Sequence, residues 1–217
     1  MAKYSSMVLV EGKSERMVLP ELCRLCGIDK RFEIRQENSL SELKRALKTY
    51  LKSTNTLRKL WIIIDADTDF EAAWQSVKDI LLQSGKYSFN RKMHLPKEGF
   101  IIEPVDKEDL IVGIWIMPNN QDVGMLEDFM LRLIPDSDAL LPIAHKDIEK
   151  LEKERVCFPG IFKSVHKSKA EIYTWLSWHD TPGESLSVAV QKRLFATDKA
   201  LCRLFAKWID VLNDEET

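Results

Sequence analysis

No apolar run in this 217-residue chain is long enough to span a bilayer, and no apolar h-region follows its first residues. Those absences predict a chain that is neither inserted nor exported, hence a cytoplasmic one. Cysteine is scarce: Cys23, Cys26, Cys157 and Cys202 do not make a disulfide framework. Cys23 and Cys26 form a single C-x-x-C with no second pair, inside a helix-like stretch. The expectation is a partly buried helix face rather than zinc or redox chemistry. An excess of charge is missing as well. With 32 basic and 34 acidic residues the net charge is −2, so no global basic field attracts nucleic acid. Any such contact must rest on local patches. Glu11-Gly12-Lys13-Ser14 lacks the glycine that a P-loop places five residues before Gly12; Met7 stands there. His145 and His179 are isolated, and nothing supports a Ser/His/Asp or Cys/His triad. No internal repeat and no low-complexity segment appears.

What is present is an ordinary globular composition, 45% apolar and 30% charged, enough for one good core and one or two domains. Apolar runs at Met7–Val10 and Lys59–Asp65 are continuous and rich in branched residues, the pattern of strands buried on both faces. Shorter strands are predicted at 32–36, at the edge segment 99–104 and at 110–117, where Pro118 ends the run. Ser14 is the expected cap of a first helix kinked at Pro20 and stopped by Gly27. Ser39 caps a second, whose Leu40, Leu43, Leu47 and Leu51 form one stripe beside a Lys44, Lys48, Lys52 ridge. Asp69 caps a third, ended by Gly85, and 122–133 reads as a fourth. Ile134-Pro135-Asp136 marks the one candidate boundary. Beyond it the pattern is helical, at 144–154, 167–178, 184–194 and 198–212. Strands alternating with helices, then helices alone, argue an α/β fold with a helical extension. The expected division is 1–135 and 136–217, the latter packed on the former or the whole forming one domain.

Both buried runs end abruptly in carboxylates. In an open parallel sheet the carboxyl ends of the strands face the functional crevice. Glu11, Asp65 and Asp67 are therefore expected at one edge, with both aspartates pointing the same way if the strand persists. Crowded carboxylates repel and raise one another's pKa unless a cation neutralises them. A hard divalent ion, magnesium with manganese as a substitute, is the simplest resolution. Glu127 or Asp128 could close such a site from a neighbouring helix, Glu127 being preferred. Lys163, His166, Lys167 and Lys169 make the densest basic cluster of the C-terminal half. Lys169 is the best candidate there for phosphate contact or charge stabilisation. Trp175 and Trp178 read as core rather than a base-stacking platform.

Val10-Glu11-Gly12 ending one strand and Asp65-Ala66-Asp67 ending another resemble a Toprim domain, the module of topoisomerases, primases and several nucleases. Gly113-Ile-Trp-Ile-Met-Pro-Asn-Asn120, Gly124-Met-Leu-Glu-Asp128 and Lys169–Trp178 with Pro182-Gly183 resemble a narrower group, small stand-alone Toprim-like proteins without an assigned function. OLD-type nucleases are a more distant likeness. The resemblance implies a Toprim-like, mainly parallel sheet flanked by helices. It implies that Asp65 and Asp67 hold magnesium, that Glu11 is a ligand or general acid/base, and that Glu15 adds a ligand for a second metal. Asn119 stands where that group commonly has aspartate, so a role for that position is in doubt.

The first functional expectation is thus a metal-dependent phosphodiesterase, a nuclease acting on DNA or RNA, with Glu11 and Lys169 catalytic. Family analogy adds an ATPase partner in prokaryotic defence or repair, and a homodimer stays open. Two alternatives use the same carboxylates: a non-catalytic subunit that binds an ATPase partner or nucleic acid, and a hydrolase of small phosphorylated metabolites. The chain lacks room for a topoisomerase's tyrosine-bearing domains, and it has no primase zinc ribbon.

Overall fold

Strands β1 (Ser6–Val10), β3 (Lys59–Asp65) and β5 (Ile111–Met117) carry no polar face, and their side chains divide by parity between two cores. Val8, Val10, Trp61, Ile63, Trp115 and Met117 point to one side. Leu9, Leu60, Ile62, Ile64, Ile114 and Ile116 point to the other. The computed structural model describes residues 4–52 and 57–213. It is an α/β fold whose five-stranded sheet has the order β2-β1-β3-β5-β4. β2 (Glu33–Gln36), β1, β3 and β5 are mutually parallel, while β4 (Phe100–Ile102) pairs antiparallel with β5 at the edge.

Helices cover both faces, as a parallel sheet requires. On one lie α2 (Leu40–Lys52) and α3 (Phe70–Gln83), through Leu43, Leu47, Leu51, Trp74 and Val77. On the other lie α1 (Lys13–Leu25), α4 (Leu126–Leu133), α6 (Lys167–Ser177), α7 (Leu186–Gln191) and α8 (Ala200–Asp210), with α5 (Leu141–Lys153) packed outside on α6. Residues before and after position 135 share this second core, from Val8 to Leu212. Among the described residues no helix is long and apolar enough to cross a membrane.

Local chemistry sets the ends of the elements. The Ser39 and Asp69 side chains accept from the Glu42 and Ala72 N–H groups at 3.2 and 2.9 Å, capping α2 and α3 as expected. Gly27 and Gly85 turn the chain after α1 and α3 in the left-handed region, at φ 74° and 71°. Ser14 does not cap α1. Gly12 takes the N-cap position in extended backbone, which draws Ser14 into the first turn. The helix runs on through Pro20. The fourth helix starts at Leu126 rather than 122, because Gly124 is held in a β-bridge to Asp67.

A tryptophan lattice ties the C-terminal helices to the sheet. The Trp61 indole N–H donates to the Trp208 carbonyl at 3.1 Å, and the Trp208 indole N–H donates to the Phe100 carbonyl at 3.3 Å. Trp115 lies edge-on to Phe205, with ring centroids 5.1 Å apart. Room for Trp61 comes from Gly113 on the neighbouring strand, where a Cβ would lie 2.6 Å from the indole ring. Gly113→Ala is therefore expected to destabilise the fold by about 1–3 kcal/mol through overpacking. Urea denaturation should show a lower midpoint at an unchanged slope. An unchanged midpoint would mean that the indole does not fill this space.

Candidate functional site at the carboxyl edge of the sheet

The parallel register brings the strand ends together. Val10 pairs with Ile63 and Asp65 with Met117, so Glu11 leaves the sheet close to the level of Asp65. The Leu40 N–H at the start of α2 lies close enough to the Glu11 carboxylate to favour its charged form. Glu15, buried in the first turn of α1, folds back over Gly12, where the Gly12 N–H and its own favour the charged carboxylate. Gly12 is needed for space rather than for conformation: a Cβ there would lie 2.6 Å from Glu15 Oε2.

β3 does not persist past Asp65. Asp67 sits at φ 49° and exchanges backbone hydrogen bonds with Gly124, 2.8 Å from its N–H and 2.9 Å to its carbonyl. The alternation that was to aim both aspartates alike is broken. Asp67 nonetheless supplies the strongest charge acting on Glu11 and adds to the field at Asp65. Asp65 Oδ1 accepts from the Leu126 N–H at 3.1 Å, which docks the start of α4 onto the end of β3.

That docking delivers Glu127, 2% exposed, to the same edge. Its neighbour Asp128 is engaged elsewhere, accepting from the Met125 N–H at 2.8 Å and the Ser168 hydroxyl at 3.0 Å. Lys169 on α6 holds its Nζ 3.3 Å from Glu127 Oε1. The contact has the distance of an ion pair but lacks hydrogen-bond geometry. One turn along α6, the Tyr173 hydroxyl lies near Ser14 and feels Glu127, Lys169 and Glu15, and burial with the Glu127 charge raises its pKa. Sequence reading passed over Tyr173; its four-residue offset from Lys169 was the available signal.

The electrostatics follow from this crowding. Burial, then repulsion from Glu15, Glu11, Glu127 and Asp67, pushes the Asp65 carboxyl well above its usual range. Burial first, then Asp67 and Glu15, raises Glu11 against the pull of the Leu40 N–H and Lys44. Burial and Glu127 raise Glu15. For Lys169 burial opposes the charge, yet the Glu127 carboxylate outweighs it and the ammonium is held more firmly.

Three buried oxygens here have no hydrogen-bond partner: Glu11 Oε2, Glu15 Oε2 and Glu127 Oε1. Buried carboxylate oxygens without a donor are costly unless a cation meets them. In donor type and charge the set suits a hard divalent ion. Among the described residues, however, no three histidine, cysteine, aspartate or glutamate side chains already stand in an arrangement that could hold a metal ion. The carboxylates share an edge without converging on a point. Convergence would have to come from side-chain rotation.

The remaining candidates lie around this edge. Asn119 is taken up in its own loop, donating to Asp122 at 3.0 Å and accepting from the Asp122 N–H at 2.9 Å. Lys167 is paired with Glu152 at 3.0 Å. Beside Asp67 a cleft of about 590 Å³ opens between Thr68, Gly124, Ser168 and Lys167. Lys44 is near enough to act on Glu11, whereas Lys48 and Lys52 line a separate 410 Å³ pocket at the far end of α2. Trp175 is fully buried, but Trp178 is 40% exposed, so only the first is core as expected.

A family profile described as "Protein of unknown function (DUF3226)" matches residues 5–214, and the chain belongs to that family. No curated protein sequence matches it. Among solved structures, the C-terminal region of the OLD protein of Xanthomonas campestris pv. campestris, phased with mercury, is similar at 12% identity and a TM-score of 0.40. The alignment covers 98% of this chain and 87% of that one. The same region phased with iodine gives 13% identity and a TM-score of 0.38, over 98% and 86%.

Raised carboxyl pKa values set a sign for stability. Each of Asp65, Glu11 and Glu15 binds its proton more tightly folded than unfolded. Their contribution is thus full below the ordinary carboxyl pKa of about 4 and is lost as pH rises through the raised values. In metal-free buffer Asp65→Asn is expected to raise the melting temperature at pH 8 and to flatten its fall between pH 5 and pH 8, relative to wild type. A variant that melts lower at pH 8 with an unchanged slope would show that Asp65 is not under this repulsion.

Proposed function

We propose that this protein is a divalent-metal-dependent phosphodiesterase, a nuclease built on a Toprim-like sheet. The observation that supports it best is the gathering of Glu11, Glu15, Asp65, Asp67 and Glu127 at one edge, with buried oxygens that no hydrogen-bond donor meets on Glu11, Glu15 and Glu127. Glu11, Asp65 and Asp67 would hold magnesium, or manganese in its place, and Glu15 and Glu127 would extend the set to a second ion. A bound divalent ion supplies a low-pKa water and neutralises charge developing on a phosphoryl oxygen.

The chain's own groups have separate tasks. Glu11, whose carboxyl is raised by burial and by Asp67 and Glu15, would serve as the general acid/base where it is not itself a ligand of the ion. Lys169, held charged by Glu127, meets the phosphate and its developing charge. In this reading residues 1–135 carry the carboxylates and 136–217 form the extension that contributes the lysine. The cleft beside Asp67 receives the substrate, and Lys44 guides its backbone. DNA or RNA is the substrate class, in the cytoplasm, with an ATPase as partner in prokaryotic defence or repair; a homodimer is compatible with the same site.

A non-catalytic subunit is the second reading, favoured by the net charge of −2 and by the neutral, loop-bound Asn119. A small-molecule phosphohydrolase would use the same carboxylates without the basic helix face. Labelled single- and double-stranded DNA and RNA, incubated with magnesium or manganese, separate these readings. Wild type is expected to cut a polymer, and Asp65→Ala to lose about a hundredfold or more of that rate. Lys169→Ala should lower kcat/KM in the same direction. Polymers left intact by a wild type that hydrolyses small phosphate esters would move the assignment to metabolites. A wild type that binds metal and cuts nothing would leave the subunit.

A further inference from the structure

The C-x-x-C of α1 has a partner outside its own motif. Cys26, at the C-terminal end of α1, places its Sγ 3.6 Å from Sγ of Cys202 in the first turn of α8, 176 residues away. Cys202 is 1% exposed, whereas Cys26 is only partly covered, so reagents can reach the pair from one side. Cys23 faces the core at 1% exposure, and Cys157 is exposed on a separate turn between α5 and α6. We propose that Cys26 and Cys202 form a redox modification site, oxidised by hydroperoxides to a disulfide that staples α1 to α8.

Geometry and thiol chemistry support this together. A disulfide bond is about 2.05 Å long, so the sulfurs must close by about 1.5 Å, within reach of a χ1 rotation. The two sulfurs lie within hydrogen-bond reach of each other, either one able to donate, and that contact lowers the Cys26 pKa against the effect of burial. Cys26, the more exposed of the two, is the sulfur that a peroxide reaches, and Cys202 stands buried behind it as the resolving thiol. Burial holds Cys23 up at about 12, which removes it from competition.

The Cys26 thiolate attacks one oxygen of the hydroperoxide. The O–O bond breaks, and the departing oxygen leaves as alkoxide or hydroxide, taking a proton from solvent. The Cys202 sulfur then attacks the sulfenic sulfur, losing its proton, and hydroxide leaves to become water. Two thiols and one hydroperoxide give one disulfide, one water and one alcohol or second water. The two sulfurs are oxidised and the peroxide is reduced. Exogenous thiol reverses the bond by exchange.

The consequence is mechanical. Both helices lie in the core that also holds Val8, Trp61 and Trp115, and the N-terminal turn of α1 carries Glu15. A bond between Cys26 and Cys202 fixes the far end of that helix and closes a loop across most of the chain, which constrains the unfolded state.

The test treats the full chain with hydrogen peroxide, quenches free thiols, and maps peptides without reduction. The expected result is one cross-linked peptide pair joining Cys26 to Cys202, with free thiols on unfolding falling from four to two. Melting should shift upward by several degrees and return on adding dithiothreitol. Cys26→Ser should abolish both the cross-link and the shift, and Cys157→Ser should keep both. A Cys23–Cys26 cross-link would overturn the proposal. So would a wild type whose Cys157 is oxidised while Cys26 and Cys202 remain free thiols. Because the wild-type map alone decides the connectivity, the outcome does not depend on Cys26→Ser folding.

Discussion

The structure turns on the mutual repulsion of carboxylates at the end of a parallel sheet. Strands β1 and β3 deliver Glu11 and Asp65 to one edge because their apolar runs stop there, and α1 and α4 add the buried Glu15 and Glu127. Repulsion between like charges in a partly buried site amounts to kilocalories per pair, comparable with a sizeable fraction of a domain's stability. Backbone donors offset part of it. Leu40 serves Glu11, Gly12 serves Glu15, and Leu126 serves Asp65, each from the N-terminal end of a helix where the dipole favours negative charge. Glu11 Oε2 and Glu15 Oε2 remain without a hydrogen-bond donor, and Glu127 Oε1 has only the Lys169 ammonium at 3.3 Å.

The helical layer after residue 135 completes the site rather than merely covering the sheet. α6 crosses α4 and brings Lys169 to Glu127, and it brings Ser168 to the aspartate that organises the start of α4. The tryptophans hold that layer in register. Trp208 is anchored to the edge strand through Phe100 and to the centre through Trp61, and Trp61 in turn depends on the missing side chain of Gly113.

Much of this was legible in the residues. The run Lys59–Asp65 gave its strand without error, because a stretch apolar on both faces and closed by an aspartate has few other homes. Ser39 and Asp69 announced their helices, since a cap is local chemistry. What failed was decided at a distance. Ser14 looked like a cap, but Gly12 starts α1 where Glu15 needs space. Residues 122–125 looked helical, but Asp67 claims Gly124 across the sheet edge. Tyr173 was passed over because Ser14 and Glu15 lie on α1, far away in sequence, and its offset from Lys169 was the one local sign. The partner of Cys26 was hidden for the same reason: the lone C-x-x-C read as a helix face, and tertiary packing supplied Cys202.

The central claim is that these carboxylates together bind a divalent ion. Manganese binding followed by electron paramagnetic resonance measures it without assuming any substrate. The account predicts saturable binding to wild type at pH 8, strongly weakened in Asp65→Asn, with magnesium competing for the same site. Manganese that remains free in the presence of folded wild type, or that binds Asp65→Asn equally well, would contradict it.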